Sequence, residues 1–335
     1  MTTPEDKSKG APKGTGTVPP GAARDAPTIP PGRPKDGGTI PPTRSKDVPT
    51  IPPGKSQDVD TIPPGATGGQ ALYLRVMTEQ LKGWDDPRIM LERALRENQF
   101  LLLAQKILPL KSGNPDPSCY EILLRLKQEE DNLLPPGGFF DIAESLGMMA
   151  KIDRWVVRAV LSWCAARLKE SPAKPLPMMC VNISAPALKS TSFLGAVREE
   201  LQNAGVPPRV LCFEINDRDV IEHPAAARGF IAALKPLGCR FTLDAFGSVK
   251  VSFSHLNDLP VDFVKIDGVL IEGLQHGPLG LATVKAINMV CREVGFRTIA
   301  EFVETKNTLD KLRDIGVDYV QGFGIARPEP IGKIP

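Results

Sequence analysis

Five short apolar runs in the second half of the chain each end on a polar residue. Arg240-Phe241-Thr242-Leu243 leads to Asp244, Met179-Cys180-Val181 to Asn182, and Val210-Leu211-Cys212-Phe213 to Glu214. Phe263-Val264 leads to Lys265, and Arg297-Thr298-Ile299-Ala300 to Glu301. Runs this short and apolar, separated by stretches of helical periodicity, read as buried strands. A polar residue stationed at each strand end is the layout of a (β/α) barrel with its site on the C-terminal face. Asp244 is the expected hub, and the chain then turns sharply at Gly247. Alternation alone would equally allow an open parallel sheet.

The approach to this region reads in the same way. Ala71 to Gln99 shows helical spacing, first through Leu72, Val76 and Leu81, then through Ile89, Leu91 and Leu95. Asp85-Asp86-Pro87 marks a helix start. Residues 71–92 are therefore expected as a helical lead-in and residues 93–330 as the folded domain. Phe100 to Leu110 and Tyr120 to Leu126 read as strands, the second carrying Glu121 and Arg125. Gly138 to Leu168 reads as two helices around Gly147, with Ile152, Trp155, Val156, Ala159 and Val160 on one core-facing stripe. Strand and helix then alternate as far as Gln321-Gly322, and Pro328 and Pro330 close the domain.

Residues 1–70 are of another kind, with no Leu, Phe, Tyr or Trp. Such a segment cannot bury enough apolar area to offset chain entropy, so disorder is expected. Thr-Val/Ile-Pro-Pro recurs every eleven residues, at Thr17, Thr28, Thr39, Thr50 and Thr61. Asp25, Asp36, Asp47 and Asp58 precede the last four of these threonines by three residues. The tail reads either as a semi-rigid spacer or as a multivalent docking segment for a protein partner, phosphorylated or Pro-read.

A formal charge of +2 gives no pull toward nucleic acid. No apolar run reaches membrane-spanning length, and residues 1–6 lack the apolar core of a signal peptide. The six Cys form no Cys-x-x-Cys pair and mostly sit in apolar runs, as expected of a reduced, cytoplasmic protein. His223, His255 and His276 have no metal-ligand spacing and read as surface residues. Glu121, Asn182, Glu214, Asp244, Glu301, Glu304 and Gln321 are oxygen donors, and Lys265 is the one cation among them. Singly, each reads as a solvated loop-end group. As a set at successive strand ends they suit Mg²⁺ or Mn²⁺, ions that in pairs activate water against a phosphodiester.

The order of these residues resembles the EAL family, the cyclic di-GMP phosphodiesterase domain of bacterial signalling. Glu121-Ile122-Leu123-Leu124-Arg125 resembles the name-giving Glu-Ala-Leu-Leu-Arg. Pro136 to Gly147, with Phe139 and Ala143-Glu144, resembles a second signature, and Asn182-Ile183-Ser184 a third. Lys265-Ile266-Asp267, Ala300-Glu301-Phe302-Val303-Glu304-Thr305 and Gln321-Gly322 resemble the remaining ones, so the likeness spans Arg93 to Pro328. No cyclase signature accompanies it. The resemblance implies a modified (β/α)8, TIM-like barrel. It implies Glu121, Asn182, Glu214 and Asp244 as ligands of a first metal, and Lys265 and Glu301 as the residues positioning or activating water. It also implies Glu304 and Gln321 as a supporting shell of the ligand site, and Gln105 and Arg125 as contacts to the dinucleotide.

The departures point the other way. The family has two adjacent Asp where this chain has Asp244-Ala245, and a methyl group cannot serve as a ligand of the second metal. The following loop, usually Gly-Thr-Gly-Tyr-Ser-Ser, is Gly247-Ser248-Val249-Lys250-Val251-Ser252, with β-branched Val249 in place of a glycine. In the family that loop couples metal binding to dimer contacts, so a homodimer is also implied. The Glu that braces it is Asp217 here, the Gly after the catalytic Glu is Phe302, and Lys106 replaces a Pro after Gln105. Phe302 could crowd the site or stack on a base, and Lys250 could place an ammonium where the lost metal sat. The expectation is a degenerate domain that keeps one metal site. It acts as a cyclic di-GMP receptor or docking module with weak or no hydrolysis. The alternatives are a working phosphodiesterase releasing linear pGpG with two Mg or Mn ions, and a protein scaffold that binds no nucleotide.

Overall fold

A computed structural model of the chain describes residues 86–111, 117–127, 133–134, 137, 139–248 and 251–335. The threonine-repeat tail, the first expected helix of the lead-in, and Val249 and Lys250 lie outside the described residues.

The strands are β1 (Phe100–Pro109), β2 (Cys119–Lys127), β3 (Leu133–Leu134), β4 (Met178–Ile183) and β5 (Leu211–Asn216). They continue with β6 (Arg240–Phe246), β7 (Phe263–Ile266), β8 (Arg297–Ala300), β9 (Tyr319–Val320) and β10 (Glu329–Pro330). From β2 through β4 to β9, sequential neighbours pair in parallel. β1 closes the ring by pairing with β2 along its length and with β9 at Leu108↔Val320. Eight strands thus make a closed barrel, and the open-sheet alternative falls away. The expectation of a parallel barrel needs one correction: β1 runs antiparallel to both neighbours. Only residues 110–118 join β1 to β2, shorter than the dozen or so residues a parallel crossover takes. β10 adds a short antiparallel pairing to β1 at Leu103↔Pro330.

The helices start where local chemistry dictates. Helix α1 (Pro87–Arg96) begins at Asp86, whose carboxylate accepts from the backbone N–H groups of Arg88 (2.9 Å) and Ile89 (3.2 Å). Its Leu91 and Ala94 are buried in the main core. Helices α2 (Phe140–Ser145) and α3 (Met149–Glu170) are separated by Gly147 at φ 65°, as the sequence pattern expects. Ile152, Val156 and Val160 of α3 are buried, and the half-buried Trp155 ring lies 5.4 Å from that of Phe100. Helices α4 (Ala185–Leu188), α5 (Thr191–Ala204), α6 (Asp217–Glu222), α7 (Pro224–Leu234), α8 (Gly268–Gly273), α9 (Pro278–Val294) and α10 (Lys306–Ile315) complete the outer layer. No described helix is long and apolar enough to cross a membrane.

The two-residue period of the strands stacks the barrel interior in tiers. A compact floor is made by Ile107, Cys119, Met178, Cys180, Cys212, Phe263, Ile299 and Tyr319, none more than 3% exposed. Cys119, Cys180, Cys212, Phe263 and Ile299 each lie two residues before Glu121, Asn182, Glu214, Lys265 and Glu301. The floor thus sits one tier beneath the polar strand ends. The Sγ atoms of Cys119 and Cys180 are 3.5 Å apart, and Cys212 Sγ is 3.2 Å from Thr242 Oγ1. All six thiols are free and buried, small hydrophobes as anticipated; burial pushes those of Cys164, Cys239 and Cys291 up to about 12.

Phe263 fills the floor directly under Lys265, in edge contact with Tyr319 (5.7 Å between ring centres) and beneath the Arg297 guanidinium. Phe263→Ala is expected to cost about 3–5 kcal/mol in urea denaturation. A loss below about 1 kcal/mol, the surface-mutation range, would show that this tier is not a packed support.

Candidate active site at the C-terminal end of the barrel

Lys265, at the end of β7, occupies the centre of the polar tier and is 1% exposed. Its Nζ lies 3.2 Å from Glu121 Oε2, 3.4 Å from Glu214 Oε2, 3.2 Å from Asp244 Oδ1 and 3.1 Å from Glu301 Oε1. The hub is therefore Lys265 rather than Asp244. Burial alone would push the ammonium down, but Asp244, Glu121, Glu214 and Glu301 together hold it well above the usual lysine range. One cation cannot balance every carboxylate. Burial lifts Glu214 well above its ordinary value, against Lys265 and helped by Glu121 and Asp244. Burial likewise lifts Glu301 to about 7, again against Lys265 and helped by Asp244 and Glu121. Burial also acts on Glu121, but Lys265 and hydrogen bonds from Asn182 and Gln321 leave it below the ordinary range.

Hydrogen bonds tie the other expected residues to this group. Asn182 Nδ2 donates to Glu121 Oε1 (2.9 Å), and Gln321 Nε2 donates to Glu121 Oε2 (2.6 Å) and Gln105 Oε1 (3.1 Å). Gln105 Nε2 donates to the Ala326 carbonyl (3.0 Å). A cleft of about 310 Å³ opens above them, lined by Gln105, Glu121, Leu123, Arg125, Glu301, Phe302, Glu304, Gln321, Gly322, Phe323 and Pro328. Arg125 is half-buried in its wall, donating to its neighbour's carbonyl and, among the described residues, meeting no carboxylate. Glu304 stands exposed at the rim, away from the Lys265 cluster.

The oxygen donors suit a hard divalent ion. Glu214 Oε1 and Gln321 Oε1 are buried without a hydrogen bond, and Asp244 Oδ1 has only its ion pair with Lys265, which is acceptor capacity of the kind an ion satisfies. Glu121, Asn182, Glu214 and Asp244 thus fit a single ion by chemistry. As arranged, however, the carboxylates close on Lys265, and no three acidic, Cys or His side chains among the described residues surround a common ion position. Ala245 contributes nothing to a second ion.

Two departures from the family pattern fall on strained backbone. Ala245 has φ 54° and Phe302 has φ 52°, the left-handed region that costs a non-glycine residue about 1–3 kcal/mol. Ala245 sits where the β6–β7 register shifts, between Leu243 and Phe246. Phe302 follows Glu301 and is 68% exposed. The brace on the β6 loop is also visible. The Gly247 backbone N–H bonds to the Asp217 carboxylate, which lies 2.7 Å from His255 Nε2. His255 is therefore not the surface residue expected, since its side chain is only 16% exposed. A lone His in a loop gives no sequence signal for such a partner. Asp153 was also missed. It accepts from the Ser184 N–H (2.9 Å) and hydroxyl (2.6 Å), and burial lifts its carboxyl to about 6. It was hidden inside the apolar stripe of α3, and it anchors the turn after Asn182.

Two measurements follow. A carboxyl with a folded pKa raised to about 7 is neutral in both folded and unfolded chains below about pH 4. Its contribution to stability is lost as pH rises through the folded value. In EDTA, stability should fall between about pH 5 and 8, and Glu301→Gln should flatten that fall; an unchanged slope would contradict the assignment. Second, Asp tolerates positive φ better than Ala, but it adds charge to a crowded tier. Ala245→Asp in EDTA should melt within about 2 °C of wild type, and Mn²⁺ should raise its Tm by more than it raises that of wild type. An equal response would show that position 245 does not face an ion.

The chain matches the EAL domain family model over residues 88–328. It is 33% identical over 245 residues to the cyclic di-GMP phosphodiesterase PdeB of Shewanella oneidensis, a match covering 73% of this chain and 28% of that protein. It is 30% identical over 241 residues to the cyclic di-GMP phosphodiesterase PdeF of Escherichia coli, covering 72% and 31%. The alignment thus spans about three-tenths of the length of these relatives. Among solved structures, the FimX EAL domain of Pseudomonas aeruginosa bound to c-di-GMP superposes with a TM-score of 0.67 at 28% identity, covering 73% of this chain and 96% of that one. The PaMucR phosphodiesterase in complex with c-di-GMP superposes with a TM-score of 0.67 at 27% identity, covering 74% and 98%. With its closed barrel, its Glu121-to-Arg125 strand and its Lys265-centred tier, the chain belongs to the EAL domain family.

Proposed function

We propose that this chain is a degenerate EAL domain that binds cyclic di-GMP and transmits its presence, with weak or no hydrolysis. The observation that carries this reading is Ala245. It keeps the left-handed backbone at φ 54° but offers a methyl group where the family pattern has a second carboxylate. Glu121, Asn182, Glu214 and Asp244 are all present at the strand ends, and the FimX EAL domain, similar to this chain, holds c-di-GMP in its solved structure. Glu121, Asn182, Glu214 and Asp244 would hold one Mg²⁺ or Mn²⁺, which when bound supplies charge stabilisation to a phosphate oxygen. Arg125 offers a guanidinium to a phosphate, and Gln105, fixed by Gln321 and Ala326, presents its amide at the cleft wall. Lys265 offsets part of the negative charge that Glu121, Glu214, Asp244 and Glu301 bring to this end of the barrel.

A second reading, a working phosphodiesterase, is favoured by one specific feature. Glu301, held at about 7 beside Lys265, is tuned to the range of a general base at neutral pH, and PdeB and PdeF, similar to this chain, are named phosphodiesterases.

Calorimetric titration with cyclic di-GMP, beside a hydrolysis assay in excess Mn²⁺, separates the two. The receptor reading expects saturable binding without linear dinucleotide release. It also expects Arg125→Ala to weaken binding by roughly tenfold or more, the loss of one charge-assisted contact of about 1.5–3 kcal/mol. Turnover near 1 per second, inside the ordinary enzyme range, would establish the phosphodiesterase instead. No binding at all would leave a protein scaffold.

A further inference from the structure

Asp153 is the one charged residue on the buried face of α3. It is 5% exposed, among Ile152, Val156 and Val157 on the same helix. A carboxylate in such surroundings is costly unless hydrogen bonds satisfy it. The bonds it accepts both come from one residue. The N–H (2.9 Å) and the hydroxyl (2.6 Å) of Ser184 converge on the same oxygen, Oδ2. Among the described residues no cation pairs with it. Ser184 has a second task that needs no carboxylate: its Oγ accepts from the Ala187 N–H (3.4 Å) and so caps α4, a helix of only four residues.

The strand ladder shows what these bonds hold. β4 pairs with β2 as far as Val181 and with β5 as far as Ile183. Asn182 therefore stands one residue beyond the last β2 pairing, and its side chain is exposed. It reaches across to β2 all the same, donating from Nδ2 to Glu121 Oε1 (2.9 Å). That bond uses the amide nitrogen and leaves the amide oxygen to a bound ion. Past Ile183 neither neighbouring strand pairs with the chain, and the next anchored residue is Ser184, held from α3. We infer that Asp153 is a positioning residue of the ion site: from α3 it fixes the Ser184 turn, and with it the direction in which Asn182 presents its amide. The inference rests on the one-ion reading above and deepens it, because ion affinity then depends on a helix that contributes no ligand. Partners of this kind, which hold a ligand in place without touching the ion, are worth about ten- to a hundredfold in metal affinity.

The test uses the full chain and two readouts. One is Mn²⁺ affinity, from the electron spin resonance of the free ion. The other is the side-chain amide resonance of Asn182 in EDTA, assigned by its loss in Asn182→Ala. Asp153→Ala removes both bonds to Ser184; it should weaken Mn²⁺ binding about tenfold or more and move the amide resonance. Asp153→Asn can place its carbonyl oxygen where Oδ2 stood and keep both bonds in neutral form, so it should stay within about threefold of wild type. Val160→Ala, fully buried and seven residues further along α3, loses packing on the same helix but no bond to the turn, and should change neither readout. If Asp153→Ala does not fold, Ser184→Ala, which loses only the hydroxyl bond, is read in its place and should shift both readouts in the same direction by less. An unmoved amide resonance or an unchanged Mn²⁺ affinity in the variant that folds overturns the inference, and so does an equal change in Val160→Ala. Wild type that binds no Mn²⁺ overturns the one-ion reading instead, and the amide resonance then decides the inference alone.

Discussion

The ion group around Lys265 governs the polar end of this barrel. One ammonium, 1% exposed, faces carboxylates from strands β2, β5 and β6 and from Glu301, the residue just past β8. Bringing such groups together in a low-dielectric interior is costly unless opposite charge is present. Without Lys265 the carboxylates at the strand ends would repel unless they took up protons or another cation. With it, Glu121 is held below the ordinary carboxylate range while burial lifts Glu214 and Glu301 above it. The tier is therefore a set of like groups pushed in opposite directions, by position rather than by residue type.

Much of this was legible in the chain. The strand-end polar residues forecast the barrel and its working face, because side chains two apart on a strand point into the same interior. Glu121, Asn182, Glu214, Asp244, Lys265, Glu301, Gln105 and Gln321 all converge, although they span more than two hundred residues of sequence. What was not legible was relational. The reversed β1 depends on a connection too short for a crossover. The central place of Lys265 depends on which strands neighbour β7 once the ring is closed. Asp153 looked like an interruption of an apolar helix face, and His255 like a surface residue, because their partners Ser184 and Asp217 lie 31 and 38 residues away.

The departures from the family pattern also gain a common physical meaning. Ala245 and Phe302 lie just past Asp244 and Glu301, the acidic strand ends on the two strands that flank β7. Both carry a backbone conformation that neither residue favours. The fold thus imposes its turn geometry on whatever side chain arrives there. The strand ends around Lys265 and the two strained positions beside them are thus set by one backbone frame.

The contact between Phe302 and Gly268 ties two distant loops together. With the ring where it lies, a Cβ at position 268 would meet it at 2.2 Å, so any side chain there has to displace the ring or the backbone that carries it. Substitutions at 268 and 302 are therefore not independent: each changes the room left for the other, as residues in contact do.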